Sequence, residues 1–378
     1  MQQNLVPFNR AALAGAEFDY MKAAIDSMHV SGNGPFTKQC ERLLEAAVGA
    51  PKVLLTTSCT HAIEMAALLL DLEPGDEVII PSFTFVSTAT PFVLRGAKPV
   101  FIDVRPDTIN LDERLLERAI TRKTRAVVPV HYAGVSCEMD DILALCAPRG
   151  ITVVEDNAHG LFGKYKGRPL GTMGATASLS FHETKNFTCG EGGALVINRA
   201  EDIERAEILR EKGTDRSRFF RGQVDKYTWV DVGSSYVPSD ILAAFLLAQL
   251  EARDAIQAKR KAIWEFYHRE LAAWAAANGI GQPTVPAHCE QSYHMYYLLF
   301  PSLDARQRMI AQLRERGVQA VFHYQALHLS DMGRKFGGQA GDCPVTEAMA
   351  DRLLRLPFFN DMTTEQLALV VDALITPA

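Results

Sequence analysis

Short apolar runs alternate with helical patterns over the first half of the chain. The runs KVLLTTS (52–58), KPVFIDV (98–104), RAVVPVHY (125–132) and ITVVEDNA (151–158) have the length and β-branched content of buried strands. Between most of them apolar positions recur at helical spacing, as in THAIEMAALLLDL (60–72). Continuous apolar strands that alternate with helices predict an α/β fold, in which a mostly parallel sheet is covered by helices on both faces.

The pattern changes after the first half of the chain. Segment 214–238 is long, polar and aromatic, and it has no period. A loop of this length within a compact domain is usually functional. Long helices are predicted next, over 239–278.

A smaller α+β unit follows the long helices. Its predicted elements are a strand in YHMYYLLF (293–300), a helix near 304–316, a strand in VQAVFHY (318–324) and a helix near 346–355. We therefore predict a large α/β domain over residues 1–250 and a small C-terminal α+β domain over residues 251–378.

Composition and charge narrow the class of protein. The chain has 378 residues, of which 48% are hydrophobic, and its net charge is −6 without a basic block. Neither a nucleic acid nor an anionic membrane is therefore an expected partner. The N-terminus lacks a signal pattern, and no apolar run approaches the length of a membrane span. Seven cysteines without a CxxC pair predict reduced thiols, no metal site and a cytoplasmic location.

Polar and aromatic residues stand where several predicted strands end. Since parallel strands bind ligands beyond their carboxyl ends, these residues should share one rim of the sheet. They are Ser58, Cys59 and Thr60 after the first strand, Phe85 after VIIPS, Asp156 and His159 at the end of ITVVEDNA, and Ser180 at the end of ASLS. Lys185 follows five residues after Ser180, in a polar, glycine-rich loop.

Each of these residues also has an ordinary explanation. Ser58 and Thr60 could cap a helix, Asp156 could pair with a lysine, Phe85 could pack in the core, and His159 could be a structural histidine. Their shared position at strand ends is what favours a cofactor site, for a cofactor with a phosphate and an aromatic ring.

Pyridoxal 5'-phosphate (PLP) would use all of these residues. Its aldehyde needs an amine, which Lys185 offers, and its pyridine nitrogen needs a carboxylate such as Asp156. Its phosphate suits the amides and hydroxyls of Cys59, Thr60 and Ser180, because free N–H groups point outward at a helix N-terminus. Its ring suits the face of Phe85.

The same residues carry a resemblance that extends over essentially the whole chain. The segments SGNGPFTKQCERLLE, LLTTSCT, PSFTFVSTA, VVEDNAHG, SFHETKNFTCGEGG and DVGSSYVPSDILAAFLLAQLE resemble those of the DegT/DnrJ/EryC1/StrS family of sugar-nucleotide aminotransferases. The resemblance implies the type I PLP-dependent fold, which is that of aspartate aminotransferase. It also implies a homodimer in which segment 214–238 crosses to the neighbouring subunit's active site.

The resemblance implies a role for each residue of the rim. Lys185 would carry the cofactor and move the proton, Asp156 would pair with the pyridine nitrogen, and His159 would lie near the 3-oxygen of the ring. Ser58, Cys59, Thr60 and Ser180 would hold the phosphate, and Phe85 would stack on the ring. Ser235 stands where many relatives have an asparagine that reaches the neighbouring subunit's cofactor phosphate.

Details of the chain resemble one branch of that family. VLLTTSCT, SFHETKN, FFRGQVDKYTW and GSSY indicate amino transfer from L-glutamate to C4 of a dTDP-4-keto-6-deoxyhexose. The product would be dTDP-4-amino-4,6-dideoxygalactose, for lipopolysaccharide or enterobacterial common antigen synthesis. Candidate substrate contacts are Arg218, Arg221 and Lys226 for anionic groups, and His323, Tyr324 and His328 for the sugar.

Other functions remain open from the sequence. The 3-aminotransferases of the family share all the cofactor residues, and a non-catalytic regulator on the same fold would also resemble this chain. A nicotinamide oxidoreductase would need a G-x-G-x-x-G turn after the first strand, and the turn after KVLLTTS has no glycine.

Overall fold

The computed structural model describes residues 6–376. Its strands are β1 Lys52–Thr56, β2 Glu77–Pro81, β3 Lys98–Ile102, β4 Thr124–Val127, β5 Thr152–Asp156, β6 Lys164–Tyr165, β7 Arg168–Pro169, β8 Thr176–Ser180, β9 Gly193–Ile197, β10 Cys289–Glu290, β11 Tyr297–Leu299, β12 Val321–Phe322 and β13 Leu353–Arg355. Its helices are α1 Glu17–Asp26, α2 Pro35–Val48, α3 Cys59–Leu69, α4 Thr90–Leu94, α5 Leu116–Ala119, α6 Met139–Cys146, α7 Ile203–Arg210, α8 Arg216–Phe220, α9 Asp240–Glu251, α10 Arg253–Glu270, α11 Ala272–Ala277, α12 Leu303–Glu315, α13 Asp331–Lys335, α14 Pro344–Arg352 and α15 Thr364–Ile375.

A seven-stranded sheet lies at the centre of the large α/β part, in the order β1-β9-β8-β5-β4-β2-β3. The pairs β3–β2, β2–β4, β4–β5 and β5–β8 are parallel, and only β9 runs against its two neighbours. The predicted α/β fold with a mostly parallel sheet is therefore confirmed. Because β1, β5 and β8 run in the same direction, their carboxyl ends meet at one edge of the sheet.

Alternate residues of the central strands pack against different helices. Leu54 of β1 and Val154 of β5 belong to a core cluster with Ile63 of α3. Val53 of β1 and Leu44 of α2 belong to the cluster on the other face. Both faces of the strands are thus buried, which is why the strands have continuous apolar runs.

The C-terminal part has its own sheet and core. Strand β13 lies between β11 and β12, antiparallel to both. The core contains Leu354 of β13, residues of α10, α12 and α15, and also Val6. An N-terminal residue therefore packs in the C-terminal core, and the domain boundary at residue 250 stays a prediction.

The predicted helix near 346–355 is wrong over its last residues. Helix α14 ends at Arg352, and residues 353–355 form β13. Leu353 and Leu354 pair with Leu299 and Leu298 of β11, so tertiary strand pairing overrides the local helical pattern.

Segment 214–238 is largely irregular, as its sequence predicts. It contains the short helix α8 and an isolated bridge between Thr214 and Trp229. Its aromatic residues lie on the surface: Phe220 is 68% exposed and Trp229 is 77% exposed. Large exposed aromatic side chains are typical of protein interfaces.

Residues 6–376 contain neither a candidate membrane span nor a candidate metal site. No helix there is long and apolar enough to cross a membrane. No group of three or more His, Cys, Asp and Glu side chains there is arranged to hold a metal ion. The seven cysteines are all free thiols.

Candidate active site

A cavity of about 540 Å³ opens at the edge of the sheet where β1, β5 and β8 end. The residues that the sequence analysis placed on one rim line this cavity together: Ser58, Cys59, Thr60, Phe85, Asp156, His159, Ser180 and Lys185. His323 and Tyr324, two of the candidate sugar contacts, line it as well.

Lys185 lies in the loop between β8 and β9. Its amide donates to the carbonyl of His182 at 2.9 Å, which closes a turn after β8. Burial of the side chain lowers the pKa of Lys185 to about 8, although the nearby carboxylate of Asp156 acts in the opposite direction. A larger fraction of the neutral, nucleophilic amine is therefore present near neutral pH than for a surface lysine.

Asp156 is the last residue of β5 and is held from two sides. Thr88 Oγ1 donates to its Oδ2 at 2.7 Å, and the amide of Ala158 donates to its Oδ1 at 3.2 Å. The preceding Glu155 points to the opposite face of the strand, where His131 Nε2 lies 2.9 Å from its Oε2. The alternation of a strand thus sends one carboxylate into the cavity and its neighbour into the core.

The N-terminus of α3 forms the end of the cavity next to β1. Ser58 caps the helix, since its Oγ accepts from the amide of His61 at 3.1 Å. Within residues 6–376 no hydrogen bond occupies the amides of Cys59 and Thr60. A Cβ atom at Gly193 would lie only 2.4 Å from the amide nitrogen of Cys59, so glycine is needed where β9 begins. Free amides at a helix N-terminus are suited to a phosphate.

Imidazole rings form another wall of the cavity. His159 stacks on His294, with 4.2 Å between ring centroids and 16° between planes. Burial lowers the pKa of His159, His294 and His323 well below the usual range, so the rings are neutral. Nδ1 of His159 has no hydrogen-bond partner within the described part of the chain, whereas Nδ1 of His323 lies 2.9 Å from the hydroxyl of Tyr132.

The amide of Asn186 sets the tautomer of His294. Its Nδ2 donates to Ser292 O at 2.7 Å and to Gln257 Oε1 at 3.1 Å, so its Oδ1 is the acceptor. His294 Nδ1 lies 2.9 Å from that oxygen and must donate to it. Nε2 of His294 therefore carries a lone pair and can only accept.

Aromatic rings border the cavity mouth. Phe85 is 56% exposed, and its ring centroid lies 6.2 Å from that of Tyr324. More than half of the Phe85 side chain is therefore accessible to a flat ligand.

Other predicted residues do not line this cavity. Arg218 pairs with Glu204 at 3.1 Å and Arg221 with Glu207 at 2.6 Å, both on α7. Lys226 is exposed, and Ser235 forms an isolated bridge with Glu211. The contacts predicted for these loop residues with the neighbouring subunit's site stay predictions.

His328 does not line the cavity and is fully buried. Its Nδ1 is 2.6 Å from Ser82 Oγ, and its Nε2 is 3.0 Å from Glu347 Oε1. Both ring nitrogens are thus already within hydrogen-bonding distance of other side chains, so neither nitrogen is available to bind a sugar.

Several cavity residues were not found from the sequence. Among them are Phe8, Thr84, Ser87, His182, Glu191, His294 and Arg355. Arg355 reaches the cavity from the end of β13 and His294 from the irregular segment before β11, and no local motif marks either residue. Thr84 and Ser87 could have been predicted as cavity residues, because the PSFTFVSTA segment that contains them follows the end of a strand.

Comparisons with known proteins agree with this geometry. The profile of the DegT/DnrJ/EryC1/StrS aminotransferase family matches residues 12–375. The chain belongs to this family. It is 34% identical over 348 residues to the uncharacterized protein MJ1066 of Methanocaldococcus jannaschii, covering 90% of this chain and 89% of that protein.

Two bacterial aminotransferases are examples of solved structures that are similar to this chain. The PLP form of Spr1654 from Streptococcus pneumoniae, a proposed sugar aminotransferase, has a TM-score of 0.90 at 28% identity, over 98% of this chain and 97% of that one. The aminotransferase TlmJ from Streptoalloteichus hindustanus has a TM-score of 0.88 at 29% identity, over 99% and 98% of the two chains. The predicted type I fold, enzyme class and cofactor are thereby confirmed: this is a PLP-dependent sugar aminotransferase.

The side chains of the cavity fit that cofactor. Lys185 offers an amine with a lowered pKa, and the carboxylate of Asp156 is hydrogen-bonded but forms no ion pair with any cationic side chain of residues 6–376. Unoccupied amides at the start of α3 suit a phosphate, and the exposed side chain of Phe85 suits a pyridine ring.

Proposed function

We propose that this chain transfers the amino group of L-glutamate to C4 of a dTDP-4-keto-6-deoxyhexose and forms dTDP-4-amino-4,6-dideoxygalactose for a cell-surface polysaccharide. The observation that carries the proposal is the cavity in which Lys185, Asp156 and the N-terminus of α3 meet. The choice of sugar rests on the segments FFRGQVDKYTW and GSSY, which resemble the branch of the family that aminates C4.

Each of the central residues has a defined role in this reaction. Bound PLP supplies the carbonyl that takes up the amino group and the ring that accepts electrons. Lys185 holds the cofactor in the resting enzyme and then moves a proton at the reacting carbon. Asp156 keeps the proton on the pyridine nitrogen, and Thr88 orients its carboxylate through Oδ2. The phosphate binds at the amides of Cys59 and Thr60.

The imidazole wall suits a substrate with many hydroxyl groups. His294 and His323 are neutral, so they exchange hydrogen bonds with a sugar without attracting an anion. His159 lies on the same wall, beside the position proposed for the 3-oxygen of the cofactor. The pyrophosphate of the sugar nucleotide needs cations from elsewhere, and Arg218, Arg221 and Lys226 of a neighbouring subunit are the candidates.

Cationic side chains of a neighbouring subunit can reach this site only if the protein forms a homodimer. The exposed Phe220 and Trp229 of segment 214–238 supply an apolar surface for the contact, and Ser235 would reach the neighbouring cofactor phosphate. The free cysteines are consistent with a cytoplasmic location of the enzyme.

The function is tested by identifying the aminated carbon. The enzyme is incubated with ¹⁵N-labelled L-glutamate and dTDP-4-keto-6-deoxyglucose, and the product is assigned by NMR. We expect ¹⁵N at C4 in the galacto configuration. Amination of a 3-keto sugar nucleotide instead would establish the 3-aminotransferase. Bound cofactor without turnover of either sugar would favour a regulator and refute the proposal.

A further inference from the structure

His294 lines the cavity and follows a residue with an unusual backbone conformation. Tyr293 is not a glycine, yet its φ of 53° lies in the left-handed region. This conformation is unfavourable for a residue with a side chain, and it persists only where the surrounding structure enforces it. Backbone strain of this kind is found most often at functional sites.

The guanidinium of Arg260 holds this backbone in place. Its Nε donates to the carbonyl of Tyr293 at 2.9 Å, and its Nη2 donates to the carbonyl of His294. Its Nη1 donates to Oδ1 of Asn360 at 2.7 Å. A buried arginine thus fixes two consecutive residues, and the direction in which His294 leaves the backbone is fixed with them.

The imidazole ring of His294 is held as firmly as its backbone. Asn186, the residue after Lys185, accepts from Nδ1 at 2.9 Å, and the ring stacks on that of His159. Burial keeps the ring neutral by lowering its pKa well below the usual range. Since Nδ1 carries the one ring N–H, Nε2 has a lone pair and no hydrogen.

Nε2 is the nitrogen of His294 that remains for a ligand. It has no hydrogen-bond partner among residues 6–376, and the ring lines the same cavity as Lys185. A ligand group that pairs with this nitrogen must donate a hydrogen. The cofactor phosphate and the two carboxylates of glutamate only accept, and the amine of glutamate is taken up by the cofactor. A hydroxyl group of the sugar is therefore the donor that suits Nε2.

We propose that Nε2 of His294 accepts a hydrogen bond from the hydroxyl at C3 of the keto sugar. This inference rests on the proposed function and names a part of the substrate that the site selects. C4 must lie at Lys185 when it is aminated, and His294 is held by the residue next to Lys185. Of the two carbons beside C4, C3 carries a hydroxyl, whereas C5 carries a methyl group and the ring oxygen. The C3 hydroxyl is thus the donor nearest to the reacting carbon.

This contact makes His294 a residue that determines substrate specificity. A site with an acceptor for a substrate hydroxyl rejects an analogue that lacks the hydroxyl, because the acceptor is then left unpaired. The contact belongs to only one half of the reaction. Glutamate has no hydroxyl, so the amination of the cofactor should not depend on Nε2.

The test compares two sugars in enzymes with and without the acceptor. The sugars are dTDP-4-keto-6-deoxyglucose and its 3-deoxy analogue, and kcat/KM is measured for each. His294→Phe keeps a flat ring that can stack on His159 but removes both ring nitrogens. His294→Asn can still donate to Asn186 Oδ1, but it is too short to present an acceptor where Nε2 lies. The second variant thus tests the same contact with the Asn186 hydrogen bond preserved.

His268→Phe is the matched control. His268 also stacks on an aromatic ring, that of Trp264, with 4.6 Å between centroids and 18° between planes, but it does not line the cavity. Every variant is also mixed with L-glutamate alone, and conversion of the bound cofactor is followed by its absorbance. This half-reaction reports on folded enzyme that carries the cofactor.

We expect the wild type and His268→Phe to prefer the sugar with the C3 hydroxyl on the order of tenfold, which is typical of one neutral hydrogen bond. In His294→Phe and His294→Asn this preference should disappear, because kcat/KM falls for the hydroxylated sugar and not for the 3-deoxy analogue. The rate of the glutamate half-reaction should stay close to that of the wild type in all three variants.

Three results would overturn the inference. They are a wild type that uses both sugars equally, an unchanged preference in both His294 variants, and an equal loss in the glutamate and sugar half-reactions. Failure of the proposed function would look different, since the wild type itself would then aminate a carbon other than C4 or leave dTDP-4-keto-6-deoxyglucose unconverted.

Discussion

Replacement of Asp156 by asparagine removes one charge from the cavity while keeping the size of the side chain. The carboxylate is buried and accepts from Thr88 Oγ1 and the amide of Ala158, and no cationic side chain among residues 6–376 forms an ion pair with it. Its charge is thus available to hold the proton on the pyridine nitrogen. An asparagine could still meet Thr88, but it would offer the nitrogen no negative charge.

The size of the loss follows from the buried position of Asp156. Two unit charges about 4 Å apart interact by about 4 kcal/mol at the effective dielectric constant of ~20 that suits protein sites. Since each ~1.4 kcal/mol is a factor of ten in rate, we expect kcat to fall on the order of a thousandfold. Thr88→Val keeps the charge and removes one hydrogen bond to it, which is worth roughly 1.5–3 kcal/mol. Its loss should be smaller, about tenfold to a hundredfold.

The assay compares turnover with stability in matched variants. Glu155→Gln is the control, because Glu155 is the preceding residue of β5 and faces the opposite side, where it accepts from the amides of Gly171, Met173 and Gly174. We expect Glu155→Gln to lower the melting temperature with little loss of kcat in the folded fraction, and Asp156→Asn to show the reverse. A near-wild-type kcat in Asp156→Asn would refute the role of Asp156.

Three further predictions concern Lys185 and the loop. Burial lowers the pKa of Lys185 to about 8, and only the neutral amine attacks an aldehyde. The rate at which the cofactor-free protein captures PLP should therefore rise as the pH passes through about 8 and stay constant above it. Stopped-flow absorbance measures this rate, and a midpoint near the ordinary lysine pKa of 10.5 would contradict the prediction. Since the positive charge of Arg355 contributes to the lowered pKa, Arg355→Gln should move that midpoint to higher pH. Mixing Lys185→Ala chains with chains that carry both Arg221→Ala and Lys226→Ala should restore activity to about half of the sites in mixed dimers, because one site then carries both lesions and the other carries neither. No recovery, with subunit exchange confirmed by mass and the loop variant shown to be inactive alone, would mean that the loop serves its own subunit.

The site residues at the strand ends were predictable because the apolar runs next to them in the sequence mark where the strands end. Lys185 lies five residues after the end of β8, and Asp156 is the last residue of β5, so a pattern of apolar runs was enough to place both on one rim. The parallel direction of the strands then brought them together with Ser58 and Cys59.

Arg355 was not predictable in this way. Its neighbours in sequence continue a helical pattern, and only pairing with β11 and β12 turns residues 353–355 into a strand that leads to the cavity. His294 likewise enters the cavity from a distant part of the chain and stacks on His159. Contacts of this kind depend on how the C-terminal sheet packs, which no short motif encodes. The proposed roles of Arg221 and Lys226 depend on contacts with a second subunit, which the local sequence does not encode either.

The most direct test asks which lysine carries the cofactor. The purified holoenzyme is reduced with borohydride, which makes the link between PLP and its lysine permanent, and the digested peptides are examined by mass spectrometry. The proposed site predicts that the added mass lies on Lys185, in the peptide that follows Ser180, and that Lys185→Ala binds PLP without becoming labelled. Label on another lysine of the wild type, or none on Lys185, would contradict the placement of the active site in this cavity.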